Sequence, residues 1–140
     1  MVISAPAESP NTDGIHVSRS DCIRITDTKI GTGDDCVSII NGSKNITVEK
    51  VTCGPGHGFS IGSVGEVPDE NPLTGITVKC CNLTGTDNGV RIKTWLDSFE
   101  NTVSGVLFEQ ITVDNVENPI MIDQEYCPNN QCKSQVPNYY

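Results

Sequence analysis

Asn11-Thr12-Asp13-Gly14, Gly33-Asp34-Asp35-Cys36 and Gly56-His57-Gly58 are the stretches from which the fold is read, because Asp13, Asp35 and His57 follow one another at intervals of twenty-two residues. If each interval is one turn of a coil built from strands, the three side chains stack on one face about 4.8 Å apart, the spacing of neighbouring strands. Asp34 joins them as a third carboxylate. Any one of these motifs reads most plainly as an acidic turn closing a strand. Three in step, with a basic pair downstream, point instead to a site, since chemistry such as glycoside hydrolysis needs at least two carboxyl groups converging on one bond.

The repeat extends outward from those motifs. One set of short strands reads Gly14-Ile15-His16-Val17, Cys36-Val37-Ser38-Ile39, Gly58-Phe59-Ser60-Ile61, Gly89-Val90-Arg91-Ile92 and Pro119-Ile120-Met121-Ile122. A second set lies between them: Cys22-Ile23-Arg24-Ile25, Asn45-Ile46-Thr47-Val48, Gly75-Ile76-Thr77-Val78 and Gly105-Val106-Leu107-Phe108. Gly, Asn and Asp turn residues separate the two sets. After Gly62 the interval lengthens to about thirty residues, and the Pro-, Glu- and Asp-rich stretch from Val64 to Pro72 is the natural loop. Residues 1–140 therefore read as one all-β domain, a parallel β-helix of about five coils whose core is buried because each coil covers its neighbour. An antiparallel sandwich would use the same strand lengths, but it does not require one small motif to return at a fixed coil position.

Composition bounds the partners. Of 140 residues, 36% are hydrophobic and only 5% aromatic, which suits a narrow core of Ile and Val. The net charge of −9 argues against nucleic acid or an anionic membrane surface as a partner. Arg91 and Lys93, two apart on a strand, share a face opposite Val90 and Ile92 and make a local cationic patch beside the carboxylates, able to meet an acidic polymer. An Arg-x-Lys pair is commonly just a solvated strand face; its place directly after the Asp and His ladder favours binding.

Seven cysteines with no Cys-x-x-Cys pair and no His-rich cluster read as disulfides rather than a metal site. Cys36 and Cys53 lie one strand and turn apart, close enough to staple two coils; Cys127 and Cys132 can close a loop around 128–131; Cys22, Cys80 and Cys81 stay unassigned. Sequons at Asn41, Asn45 and Asn82 agree with an oxidising secretory route. The opening Met1 to Pro6 is too short and too poorly charged for a signal peptide, and no apolar run is long enough to span a membrane.

With those residues in view, the chain resembles the polygalacturonases, in particular those of plants. Ser9 to His16, Gly31 to Cys36, Cys53 to Gly58 and Asp87 to Lys93 look like that family's four signature motifs, and Ile122 to Pro128 resembles a fifth. The resemblance covers nearly the whole chain in order. It implies a right-handed parallel β-helix that hydrolyses the α-1,4 bonds of galacturonan, the pectin backbone, outside the cell in the plant cell wall, without a metal or cofactor and as a monomer at full length. Carried over by position, it makes Asp34 the general acid, with Asp13 and Asp35 activating the attacking water and His57 supporting the acid. Arg91 and Lys93 would bind the sugar carboxylate at the scissile bond, Tyr126 would line the same cleft, and Asn11 would help hold the hydrogen-bond network. Inverting hydrolysis places its carboxyls roughly 6.5 to 9.5 Å apart to admit a water. Crowded carboxylates cannot all ionise cheaply, so one is expected to keep its proton under mildly acidic conditions.

Family members are longer, so the chain is expected to lack coils and caps at both ends and to be a poor enzyme alone. A non-catalytic remnant that only binds pectin is the alternative. A pectate lyase would also use a β-helix but needs calcium and a basic proton acceptor, for which Arg91 alone is thin support.

Overall fold

A computed structural model describes residues 1–128 and 132. Ten strands follow one another: β1 (Val2–Ser4), β2 (Ile15–Val17), β3 (Arg24–Gly31), β4 (Asp35–Ile39), β5 (Lys44–Cys53), β6 (Gly58–Val64), β7 (Leu73–Thr84), β8 (Asn88–Trp95), β9 (Val103–Asp114) and β10 (Asn118–Tyr126). Odd strands form one sheet in the order β1-β3-β5-β7-β9, and even strands form the other in the order β10-β8-β6-β4-β2. Every pairing is parallel. The chain thus alternates between two sheets and advances one strand in each, giving the five coils of a parallel β-helix. The stretch after Val64 is the connecting loop that the Pro- and acid-rich sequence requires.

Register turns single residues into rows. Val17, Ile39, Ile61, Ile92 and Ile122 face one another along the even sheet, and Ile15, Val37, Phe59, Val90 and Ile120 form the next inward row. Cys36 and Cys53 are both fully buried and joined, with sulfurs 2.02 Å apart and Cα atoms 5.9 Å apart, so the expected staple between β4 and β5 is present inside the core. Cys127 and Cys132 are also joined; of the loop between them, residues 129–131 lie outside the described residues. Cys22, Cys80 and Cys81 are free.

The sequence reading ends the second strand set at Ile25, Val48, Val78 and Phe108, yet these strands run on through a bend. In β5 the buried positions Ile46 and Val48 give way to Val51 and Cys53, a slip of the two-residue period. Lys50 sits at the slip with φ of 53°, and register aligns it with Asp27, Cys80 and Gln110, whose φ values are 51°, 53° and 53°. At this register position one left-handed residue in each of β3, β5, β7 and β9 turns the strand so that both arms face the same core. A side chain in that conformation costs roughly 1–2 kcal/mol, and stacking offsets it because each coil bends where its neighbour bends. Strand β1 was not foreseen; Val2–Ser4 pairs with Lys29–Gly31.

Membership of a row does not guarantee burial. Ile61 is 1% exposed, whereas Ile122, two strands along the same row, is 71% exposed because β10 is the edge strand. Ile61→Ala should therefore lower unfolding free energy by about 2–5 kcal/mol and Ile122→Ala by about 0.5 kcal/mol or less. Denaturant titration of both variants checks the contrast, and equal losses would contradict the row arrangement.

Candidate active site

The site lies on the outward face of the even sheet and in the turns that lead into it. Strand pairing sets His16, Ser38, Ser60 and Arg91 in one outward row. Alternation then brings Lys93 out on the same face as Arg91. The turn before β6 is shaped by glycine: Gly58 has φ of 92°, and any Cβ there would collide with the carbonyl of Asn88. Only glycine lets the next coil pass this close while His57 is presented from the turn.

The ladder differs in one respect from the even spacing of twenty-two. Asp35 faces Gly58, not His57, and the register shifts by one residue before Val37 meets Phe59. His57 therefore belongs over Asp34. Its backbone N–H donates to the Asp34 carbonyl at 2.7 Å, and its ring Nδ1 lies 3.0 Å from Asp34 Oδ1. The bulge is what converts an adjacent Asp-Asp pair into two separately partnered carboxyls.

Asp35 is 2% exposed and accepts from Ser60 Oγ at 2.6 Å, Arg91 Nη2 at 3.1 Å and Lys93 Nζ at 3.0 Å. Two cations and a hydroxyl compensate the burial of one carboxylate, the condition under which a buried charge is tolerated. Asp34 is half-buried; its Oδ1 also accepts the Asp35 backbone N–H at 2.7 Å. His57 Nε2 lies 3.4 Å from Asp87 Oδ2, so the imidazole sits between two carboxyls. Asp13, also half-buried, accepts from Ser38 Oγ at 2.5 Å. Burial pushes the Asp13 carboxyl above its ordinary range; the Ser38 hydrogen bond pulls it back, nearby Asp35 and Asp34 add to the rise, and His16 opposes it.

The structure thus brings together Asp13, Asp34, Asp35, His57, Arg91 and Lys93. Tyr126 joins them, with Lys93 Nζ 5.0 Å from its ring centre and its ring edge-on to Trp95 at 5.3 Å. Burial raises the Tyr126 hydroxyl above its usual range. Asn11 is exposed, with φ of 50°, and makes no side-chain hydrogen bond to the site among the described residues. Arg91 and Lys93 are turned toward Asp35 rather than standing free, and Lys93 is 6% exposed. Among the described residues, Asp34, Asp35 and His57 alone form a trio whose ligand atoms lie within 4.8 Å of one another, but Asp35 is already paired with two cations.

Ser38, Ser60, His16 and Asp87 were assigned no role from the sequence. A signal existed for three of them. Ser38 and Ser60 are polar residues inside the apolar strands β4 and β6, at the same step after Asp35-Cys36 and His57-Gly58, and His16 precedes Ser38 by the coil interval of twenty-two.

Comparison with known proteins gives a consistent result. The family model for glycosyl hydrolases family 28 matches residues 1–138. A polygalacturonase of Medicago sativa is 60% identical over 138 residues, covering 98% of this chain and 33% of that protein. A polygalacturonase of Nicotiana tabacum is 56% identical over 135 residues, covering 96% of this chain and 34% of its own length. An exopolygalacturonase of Arabidopsis thaliana is 58% identical over 135 residues, 96% of this chain and 30% of that protein. The chain spans about a third of the length of the curated relatives it matches.

The raised Asp13 carboxyl carries a stability consequence. The folded state holds that proton more tightly than the unfolded chain does, so its contribution is fully present below the ordinary value of 3.8 and is lost as pH rises through the higher folded value. Asp13→Asn should therefore raise the melting temperature at pH 7, and the gain should vanish at about pH 3. Thermal unfolding of parent and variant at both pH values checks the sign; a variant less stable at pH 7 would contradict it.

Proposed function

The chain belongs to glycosyl hydrolases family 28, and on that footing we propose that the protein hydrolyses the α-1,4 bonds of galacturonan with inversion, as an extracellular enzyme of the cell wall. The observation that carries this reading is the convergence of three carboxyls, each with its own partner, on the face that holds Arg91 and Lys93. Asp34 is the general acid; the facing His57 ring holds its carboxyl in place and supports its protonation state. Asp13 and Asp35 hold the attacking water from the other side of the sugar ring. The raised proton affinity of Asp13 suits a base that must take a proton from water, provided it is ionised at the working pH.

Arg91 and Lys93 meet the carboxylate of the sugar unit at the scissile bond, and Tyr126 borders the same space. Because both cations pair with Asp35, an incoming sugar carboxylate competes with Asp35 for them. Binding would loosen the clamp on Asp35 and make it a more available base. Pectin is then both substrate and activator of its own site.

A second reading is favoured by one observation: among the described residues Ile120 and Ile122 are 77% and 71% exposed along rows that are otherwise core, an arrangement in which residues 1–140 taken alone would bind pectin without efficient turnover.

Incubated with polygalacturonate and a chelator, the protein should release reducing ends with no absorbance from unsaturated sugars, and it should leave a neutral glucan untouched. Unsaturated product would replace hydrolysis by elimination. Asp34→Asn should cut kcat by about 10²- to 10⁴-fold while polygalacturonate still binds; turnover near the parent's would move the acid role to another residue.

A further inference from the structure

Two serines repeat one device. Ser38 Oγ donates to Asp13 Oδ2 at 2.5 Å and lies 2.7 Å from His16 Nδ1. Ser60 Oγ donates to Asp35 Oδ1 at 2.6 Å and accepts from Arg91 Nε at 3.2 Å. In both, the serine stands 25 residues after its carboxyl and is almost fully buried, at 3% and 1% exposure. A hydroxyl has one hydrogen and two lone pairs. With the Ser38 hydrogen committed to Asp13, its oxygen accepts from His16, so the His16 proton sits on Nδ1. The order is the same in each case: a basic side chain from the neighbouring strand gives to serine, and serine gives to a carboxylate.

Strand pairing builds this arrangement rather than chance rotamers. His16, Ser38, Ser60 and Arg91 occupy one row, so the two serines sit side by side with a base-bearing strand on each flank. The second oxygen of Asp35 accepts from Lys93 Nζ at 3.0 Å, whereas Asp13 Oδ1 makes no hydrogen bond among the described residues. The buried hydroxyls have no hydrogen-bond partners in the described structure beyond these.

We propose that Ser38 and Ser60 are positioning residues for Asp13 and Asp35, each anchored in turn by His16 and Arg91, and that the pair aims both carboxylates at one water. The inference rests on the reading of Asp13 and Asp35 as the water-holding groups. A carboxylate left to rotate would spread that water over several positions, and misplacement of about 1 Å costs on the order of 10²-fold in rate.

The test combines a readout that needs no turnover with one that does. Side-chain carboxyl titration by ¹³C NMR follows Asp13, which is faced by His16 from β2 and by Asp34 and Asp35 from the start of β4. Ser38→Ala should move the Asp13 midpoint upward, because the hydrogen bond that lowers it is gone; Ser38→Thr should restore it; and Ser60→Ala should leave it in place. In hydrolysis, Ser38→Ala and Ser60→Ala should each lower kcat by about ten- to a hundredfold with KM nearly unchanged, and threonine should rescue both. If Ser38→Ala does not fold, Ser38→Cys, which keeps the shape but offers only a weak S–H donor, should still raise the Asp13 midpoint. An unmoved midpoint, or full activity in either alanine variant, overturns the proposal. Absence of hydrolysis by the parent protein would instead overturn the hydrolase reading, with the titration still deciding the role of Ser38.

Discussion

Parallel pairing of each coil with the next, in one maintained register, is the constraint on which everything else in this protein depends. It is non-local, since neighbours in space are 22 to 31 residues apart in the chain. It is also what makes each strand worth forming, because a single coil buries almost nothing until another lies on it. The apolar rows, the buried Cys36–Cys53 bridge and the column of left-handed residues at Asp27, Lys50, Cys80 and Gln110 are all consequences of stacking. Each unfavourable backbone conformation in that column persists because the coil stacked against it adopts the same bend.

The same stacking concentrates charge. A chain of net charge −9 places three carboxyls at two successive turns of one face, an arrangement that repels itself. The molecule answers each one differently. Asp35 is buried against Arg91 and Lys93, Asp34 is set against His57, and Asp13 is left with a hydroxyl and a partly exposed imidazole. The unequal treatment is what separates the carboxyls chemically, and it falls on Asp13 as a raised affinity for its proton. Residues that are identical in type thus acquire distinct capacities from their neighbours alone.

Cations facing an internal carboxylate also change how Arg91 and Lys93 are understood. From sequence, Arg91 and Lys93 read as a free patch awaiting an acidic polymer. Packed, both are paired with Asp35, whose single charge offsets only one of theirs, and a desolvated cluster of this kind is costly to break unless a new anion takes the place of the old. On the proposed reading, a polyanionic chain would supply such an anion and so tie its binding to the state of Asp35.

Much of this was legible from the residues. The recurrence of Asp13, Asp35 and His57, the two alternating strand sets and the pairing of Cys36 with Cys53 all follow from spacing, because a solenoid writes its period directly into the chain. Other features were not: β1 is too short to carry a pattern, the bends at Lys50 and its counterparts leave only a slip in alternation, and Ser38 and Ser60 look like ordinary strand residues. By itself the sequence determined which residues recur and therefore which face would be acidic. Only the tertiary structure decided which carboxyl meets which partner, because a one-residue register shift between Asp35 and Val37 moves His57 from Asp35 to Asp34. Period is a property of the chain, whereas register is chosen by the packing of one coil on the next, where a single residue exchanges every contact.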